Sequence, residues 1–299
     1  MEQLKQQLRT ANIAFKEREP LSLHCTFKIG GLAAVLIQPE NEEELCRSIG
    51  FCKACRVNCY LLGNGSNVLF SDEGYNGAVV DVSAMKSNIM CNGNEITAGA
   101  GVKLSALCAK ALDLSLTGLE FAYGIPGTVG GAVYMNAGAY GGEIKDVLVS
   151  VRCLTPDGKI EELPASSLDL GYRHSAFENN GCCILSAKFR LKEGVQSDIR
   201  AKMDDLMSRR IDKQPLDKPS AGSTFKRPVG AFAAALIDQC GLKGYQHGGA
   251  AVSDKHCGFV VNVGGATCAD VLALCDEVRA IVEEKTGYDL EKEIRVVGV

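Results

Sequence analysis

The sequence predicts an α+β protein divided into two or three domains. Three observations carry that expectation. The chain opens in β-α-β order, which implies a small mixed sheet. From about Gly77 the texture changes to short strands and hairpins, and near residue 215 prolines interrupt a charged helix. At 299 residues the chain is long enough to bury a large core and to divide in this way.

Residues 2–14 have helical spacing, with Leu4, Leu8 and Ile13 on one face. Residues 33–38 read as a strand, and Asn41 with Glu44 forms a capping-box-like start for a helix to about Cys55. A short strand at 59–62 ends in a glycine-rich loop. Strands follow at 78–82, 89–91 and 95–98, the last two joined by Asn92-Gly93, a strong hairpin signal. A helix over 103–114 leads into a second glycine-rich loop. The strand 147–154 turns at Pro156-Asp157-Gly158, and 183–191 is another strand. The helix 196–212 connects domains and is broken by Pro215, Pro219 and Gly222. Beyond it come a short helix over 230–240, a strand over 259–263 and a long helix over 267–285. Thr267 and Asp270 open that helix and Gly287 closes it. A last strand from Glu293 returns to an earlier sheet. The expected division is 1–76 with 289–299 returning to it, then 77–212, then 213–288.

Apolar residues make up 46% and charged residues 23%, as in soluble globular proteins. The net charge of −4 argues against a nucleic-acid partner. No apolar run approaches the ~20 residues of a membrane span, and Met-Glu-Gln-Leu-Lys lacks the apolar core of a signal peptide. The expectation is a cytoplasmic protein with no membrane partner. The 14 cysteines are scattered. Cys52-Lys-Ala-Cys55 stands alone in a helical pattern without nearby histidines, so no metal is expected. Reduced cysteine serves as a small buried apolar residue.

Chemistry concentrates in the loops. Gly63-Asn64-Gly65-Ser66-Asn67 is the first. Gly124-Ile-Pro126-Gly127-Thr128-Val-Gly130-Gly131-Ala132, continued by Asn136-Ala-Gly138, is the second. Glycine lets peptide N–H groups crowd against anionic oxygens, so the pair suggests a dinucleotide-sized anion approached from two sides. Neither loop fits a Walker A or a Rossmann fingerprint. Arg209, Arg210, Lys213, Lys218, Lys226 and Arg227 form a local basic excess around Ser223, read either as a solvated helix end or as a subsite for a phosphorylated substrate. Three further segments stand out: Gly171-Tyr172-Arg173-His174-Ser175, Ala221-Gly222-Ser223-Thr224-Phe225-Lys226, and Glu293-Ile-Arg295. Each alone is equally compatible with an ordinary surface role. Hydrolase and zinc-protease signatures are missing.

Taken together and in order, these segments resemble the UDP-N-acetylenolpyruvoylglucosamine reductases. The resemblance starts at Thr26-Phe-Lys-Ile-Gly-Gly31 and runs through Glu293-Ile-Arg295, covering nearly the whole chain. The short stretch between Ser175 and Cys183 matches the subtype lacking an extra tyrosine-bearing substrate loop. The resemblance implies a vanillyl-alcohol-oxidase/PCMH-type FAD-binding fold of two α+β subdomains plus a substrate-binding domain. It also implies noncovalent FAD, NADPH as hydride donor, and the enolpyruvyl ether of UDP-N-acetylglucosamine as substrate for a monomeric enzyme. By the same resemblance residues 63–67 and 124–138 bind FAD, with Arg295 also touching it. A covalent link through His24 is not expected. Arg173 would stabilise enolate charge, Glu293 would share it from its acid form, and Ser223 would protonate the α carbon. Tyr172, Lys213, Lys226, Arg227 and His256 are substrate contacts, with Arg227 least secure because longer members carry asparagine there. His247 is a weaker candidate. Two rivals stand beside this reading: an oxidase of the same fold, which would not need the Arg173–Ser223–Glu293 set, and a non-catalytic nucleotide-sugar module.

Overall fold

The computed structural model describes residues 1–298, so Val299, the end of the expected return over 289–299, lies outside the described residues. The chain forms two compact units. One comprises residues 1–16, 35–64 and 77–210; the other comprises 17–34, 65–76 and 211 onward.

The first unit is built on a five-stranded antiparallel sheet. Its order is Ile160–Pro164, Leu148–Leu154, Cys183–Arg190, Glu95–Gly99, Ile89–Asn92. The central strand alternates buried and partly exposed residues in its second half, as a sheet with one covered face requires. Helices Leu104–Asp113 and Val129–Tyr134 contribute Leu107, Leu112 and Val133 to its core, beside Ile96 and Phe189. A second core joins helices Glu2–Thr10 and Glu42–Ala54 to Val35, Val80 and Leu185. Asn41 caps the latter helix by accepting the Glu44 N–H at 3.0 Å. Glu44 closes the box one residue early, on the Glu40 N–H at 2.8 Å.

Two local expectations need correction. The hairpin loop is Gly93-Asn94, because Asn92 pairs with Glu95. Gly93 takes φ +58 at the first loop position, the demand of a type II′ turn. Sequence reading also missed the strand Phe15–Pro20. It is an edge strand of the sheet ordered Phe15–Pro20, Leu32–Ile37, Tyr75–Asp81, Cys59–Leu62. Lys16, Glu17, Arg18 and Glu19 carry no apolar alternation, but an edge strand needs backbone pairing rather than that pattern, and charge protects it.

The second unit holds a three-stranded antiparallel sheet, Gln246–His247, Ala250–Val252 and Val260–Asn262. The helix Cys268–Thr286 opens with the full Thr267/Asp270 capping box and ends at Gly287 in the left-handed conformation. Asp72 accepts the first N–H groups of that helix, Cys268 at 2.7 Å and Ala269 at 3.0 Å. The final strand, Arg295–Val297, pairs in parallel with Val68–Phe70. The cysteines are free thiols and most are buried. Burial pushes Cys108, Cys153, Cys183 and Cys275 up to about 12, so these thiols stay protonated. Among the described residues no helix is long and apolar enough to cross a membrane.

Candidate active site

In the first unit the start of one glycine loop meets the other. A Cβ on Gly63 would stand 2.7 Å from the Thr128 hydroxyl oxygen, so only glycine lets the loops approach this closely. Asn64 donates its amide to the Pro126 carbonyl at 2.8 Å. Thr128 is the N-cap of Val129–Tyr134 and accepts the Gly131 N–H at 3.3 Å.

The loop's far end positions Arg173. Asn136 is fully buried and donates to the Gly171 carbonyl at 2.8 Å and to the Glu143 carboxylate at 3.0 Å. Its own oxygen accepts the Lys145 N–H at 2.9 Å. Both amide hydrogens are therefore spent inside the protein, and the residue acts as a tie between loops. Gly171 and His174 exchange backbone bonds across a tight turn, leaving Tyr172 and Arg173 at its tip. Arg173 takes φ +55, donates to the Gly138 carbonyl at 3.2 Å and lies 5.3 Å from the Tyr172 ring centre. Buried Ser175 anchors the turn by donating to the Tyr134 carbonyl at 2.6 Å. His174 sits against Glu178 and Asp169, which hold its pKa above the usual histidine value.

The second unit brings the other candidates into one backbone lattice. Thr26 donates its N–H to the Gly65 carbonyl at 3.1 Å and its hydroxyl to the Ser220 carbonyl at 2.6 Å. The Glu293 N–H reaches the Thr224 carbonyl at 2.8 Å, and the Arg295 N–H reaches the Asn67 carbonyl at 3.0 Å. Asn67 donates back to the Glu293 carbonyl at 3.3 Å. Asn67, Thr224, Glu293 and Arg295 are thus tied together by direct hydrogen bonds, which hold the backbone on either side of Ser223 and Ser66. Thr224 is the residue that sequence reading missed here. It is buried and its hydroxyl accepts the Val260 N–H at 2.9 Å, pinning the loop that presents Ser223. Its place between Ser223 and Phe225 was visible; its burial was not.

The basic candidates are less uniform. Lys226 pairs with Glu291 at 2.6 Å, and Lys213 is exposed. The Arg227 guanidinium stacks 4.6 Å from the Phe232 ring centre. His247 contacts Glu277 at 2.8 Å and His24 contacts Glu19 at 2.9 Å. His256 is half-buried, edge-on to Phe259 at 5.0 Å, and its Nδ1 accepts the Gly258 N–H at 3.1 Å.

That acceptor role belongs to the neutral ring, and burial pulls the His256 pKa below its usual value. The unfolded chain therefore takes up the proton first. This contribution to stability is whole above the unfolded value, about 6.5, and is lost as pH falls through the depressed folded value. Between about pH 7.5 and about pH 5 the melting temperature is expected to fall, and His256→Gln should make the fall shallower. Equal slopes for the two proteins would remove His256 from this account.

Two family profiles match the chain: "FAD binding domain" over residues 33–164, and "UDP-N-acetylenolpyruvoylglucosamine reductase, C-terminal domain" over 214–297. The chain is 49% identical over 295 residues to the UDP-N-acetylenolpyruvoylglucosamine reductase of Lachnoclostridium phytofermentans, covering 96% of this chain and 95% of that protein. It is 44% identical over 298 residues to the Caldanaerobacter subterraneus protein of the same name, covering 100% and 98%. Among solved structures, the UDP-N-acetylenolpyruvylglucosamine reductase of Thermus caldophilus matches with TM-score 0.79 at 34% identity, over 95% of this chain and 98% of that one. An alkyldihydroxyacetonephosphate synthase shares the fold alone, with TM-score 0.51 at 16% identity over 64% of this chain and 40% of that chain. The α+β architecture is the FAD-binding one that the resemblance implied.

Proposed function

The chain belongs to the UDP-N-acetylenolpyruvoylglucosamine reductase family, and on that premise we propose that it reduces the enolpyruvyl ether of UDP-N-acetylglucosamine to UDP-N-acetylmuramate, a step of peptidoglycan precursor synthesis. The observation that supports this most is the 49% identity spread over 96% of the chain. The enzyme works as a cytoplasmic monomer, with FAD bound noncovalently and NADPH as donor.

The residues present fit FAD. Gly65 takes φ +62, and a Cβ there would stand 2.7 Å from Cys25 Cα and collide with the His24 carbonyl oxygen. The glycines at 63 and 65 leave the first loop's backbone uncovered by side chain, the close approach a diphosphate needs, whereas the second loop's Ile125, Gly127, Val129, Gly130 and Ala132 N–H groups donate within the chain. Gly63, Asn64, Gly65, Ser66 and Asn67 would hold the cofactor with Gly124, Pro126, Gly127, Thr128, Gly130, Gly131, Ala132 and Gly138, and Arg295 would join them. When bound, FAD accepts electrons from NADPH and supplies hydride to the substrate's vinyl carbon.

The chain's own residues then manage charge and a proton. Arg173 holds the substrate carboxylate as negative charge develops on it; its planar, permanently charged fork suits that group. The Ser223 hydroxyl gives its proton to the α carbon and is reprotonated by solvent. Glu293 is fixed beside Ser223 through the Thr224 carbonyl and supplies a further hydrogen bond to the carboxylate. Residues 213–288 carry the substrate's nucleotide end, contacted by Lys213, Lys226, Arg227 and His256, with Tyr172 from its turn. Lys226 must exchange Glu291 for that contact.

The test is the visible spectrum of the purified protein under anaerobic conditions. Flavin bands that bleach on adding NADPH and return on adding the enolpyruvyl substrate are expected. Bleaching without recovery would overturn the acceptor, and a protein that takes up no FAD would overturn the cofactor reading.

A further inference from the structure

Two neighbouring arginines near the end of the helix Gln196–Lys213 meet different fates. Arg209 pairs with Asp205 one turn back, at 2.9 Å. Arg210 is half-buried instead, and among the described residues no carboxylate pairs with it. Its side chain runs along the second glycine loop. A Cβ on Gly124 would stand 3.0 Å from Arg210 Cδ and 3.8 Å from its Nε, so the missing Cβ is what admits the guanidinium. Burial pulls its pKa down, and Tyr140 acts in the opposite direction.

Tyr140 lies beside this guanidinium. It takes φ +52 at the tip of the hairpin formed by Gly138–Ala139 and Gly142–Glu143. The same hairpin offers the Gly138 carbonyl to Arg173. Two guanidinium groups therefore flank one hairpin and one glycine loop, and among the described residues only Arg173 donates to an acceptor there. A permanently charged group that loses part of its water and gains no counter-charge is costly, and such a group is retained where a ligand supplies the missing charge. Arginine's fork is the side chain best shaped for phosphate oxygens.

We propose that Arg210 receives a phosphate oxygen of a nucleoside diphosphate lying against Gly124 and the Tyr140 turn. The proposal rests on the reading of residues 124–138 as a ligand loop. Three bound species carry that chemistry: FAD, NADPH and the UDP-linked substrate. Arg210 faces the glycine loop of its own unit.

The experiment compares wild type with Arg210→Met, which keeps length and loses charge, and with Arg210→Lys. FAD dissociation constants come from flavin fluorescence on refilled apoprotein; KM values for NADPH and for the UDP substrate come from the loaded enzyme. Arg210→Met is expected to raise one of these three constants at least ~10-fold, with Arg210→Lys intermediate, the scale of one charge-assisted hydrogen bond. A rise in the FAD constant assigns the phosphate to the cofactor. A rise in one KM alone assigns it to that ligand. All three constants within about twofold of wild type, with or without a lower melting temperature, would overturn the proposal. Wild-type apoprotein that fails to take up FAD would instead overturn the reading of the loop.

Discussion

Ser223→Ala is expected to leave reduction by NADPH within about twofold of wild type and to slow substrate-driven reoxidation at least ~10²-fold, the usual scale for a positioned acid. The loop around Ser223 makes this a clean experiment. Gly222 sets the backbone with φ +78, and buried Thr224 fixes it through the Val260 N–H and through its own carbonyl on Glu293. Ser223 is not among the groups holding that lattice, so alanine removes a hydroxyl and leaves the backbone where it was. Stopped-flow traces of the two half-reactions separate the outcomes. Unchanged reoxidation would take the proton-donor role from Ser223. Slowing of both halves alike would make its contribution structural.

Gly65→Ala should be among the most damaging single methyl additions in the described residues. The residue sits at φ +62, which costs a non-glycine residue about 1–3 kcal/mol by itself. The added carbon also meets backbone rather than a yielding side chain: the His24 carbonyl oxygen, and Cys25 Cα at 2.7 Å. Because Thr26 bonds the Gly65 carbonyl, the strain would spread to the segment held by Ser220. The expected result is a protein purified without flavin and destabilised by at least ~2 kcal/mol. Gly50→Ala is the matched control. Gly50 lies in the helix Glu42–Ala54 with nothing within 4 Å of a new Cβ, and alanine there should stabilise by up to ~1 kcal/mol. Flavin content and melting temperature of the two variants decide the matter. Equal effects would mean that the Gly65 conformation is not needed.

What the sequence disclosed follows the range of each signal. The Thr267/Asp270 box, the Gly287 stop and the turn closed by Gly158 are decided within a few residues, and the structure has them where local chemistry puts them. The glycine loops were legible because phosphate-like chemistry imposes composition on short segments. Phe15–Pro20 was not, since an edge strand is specified by its neighbour's free N–H and C=O groups. Asn136 looked like a ligand contact by its place after the second loop. Its burial and three internal hydrogen bonds arise from Gly171, Glu143 and Lys145, none adjacent in sequence. The packing of residues 17–34 and 65–76 with those from 211 onward is likewise set by distant pairings such as Asn262 donating to the Phe27 carbonyl at 3.3 Å.

The parallel pairing of Arg295–Val297 with Val68–Phe70 carries a consequence for how the molecule comes into being. Asn67 and Glu293, which that pairing brings together, are 226 residues apart in sequence. Closing so long a loop is entropically expensive, and such contacts form late. During synthesis the first glycine loop emerges early and must wait, incompletely braced, for the last strand. Flavin capture by a chain in which Arg295–Val297 has not yet paired is therefore disfavoured: maturation of this enzyme is timed by that pairing.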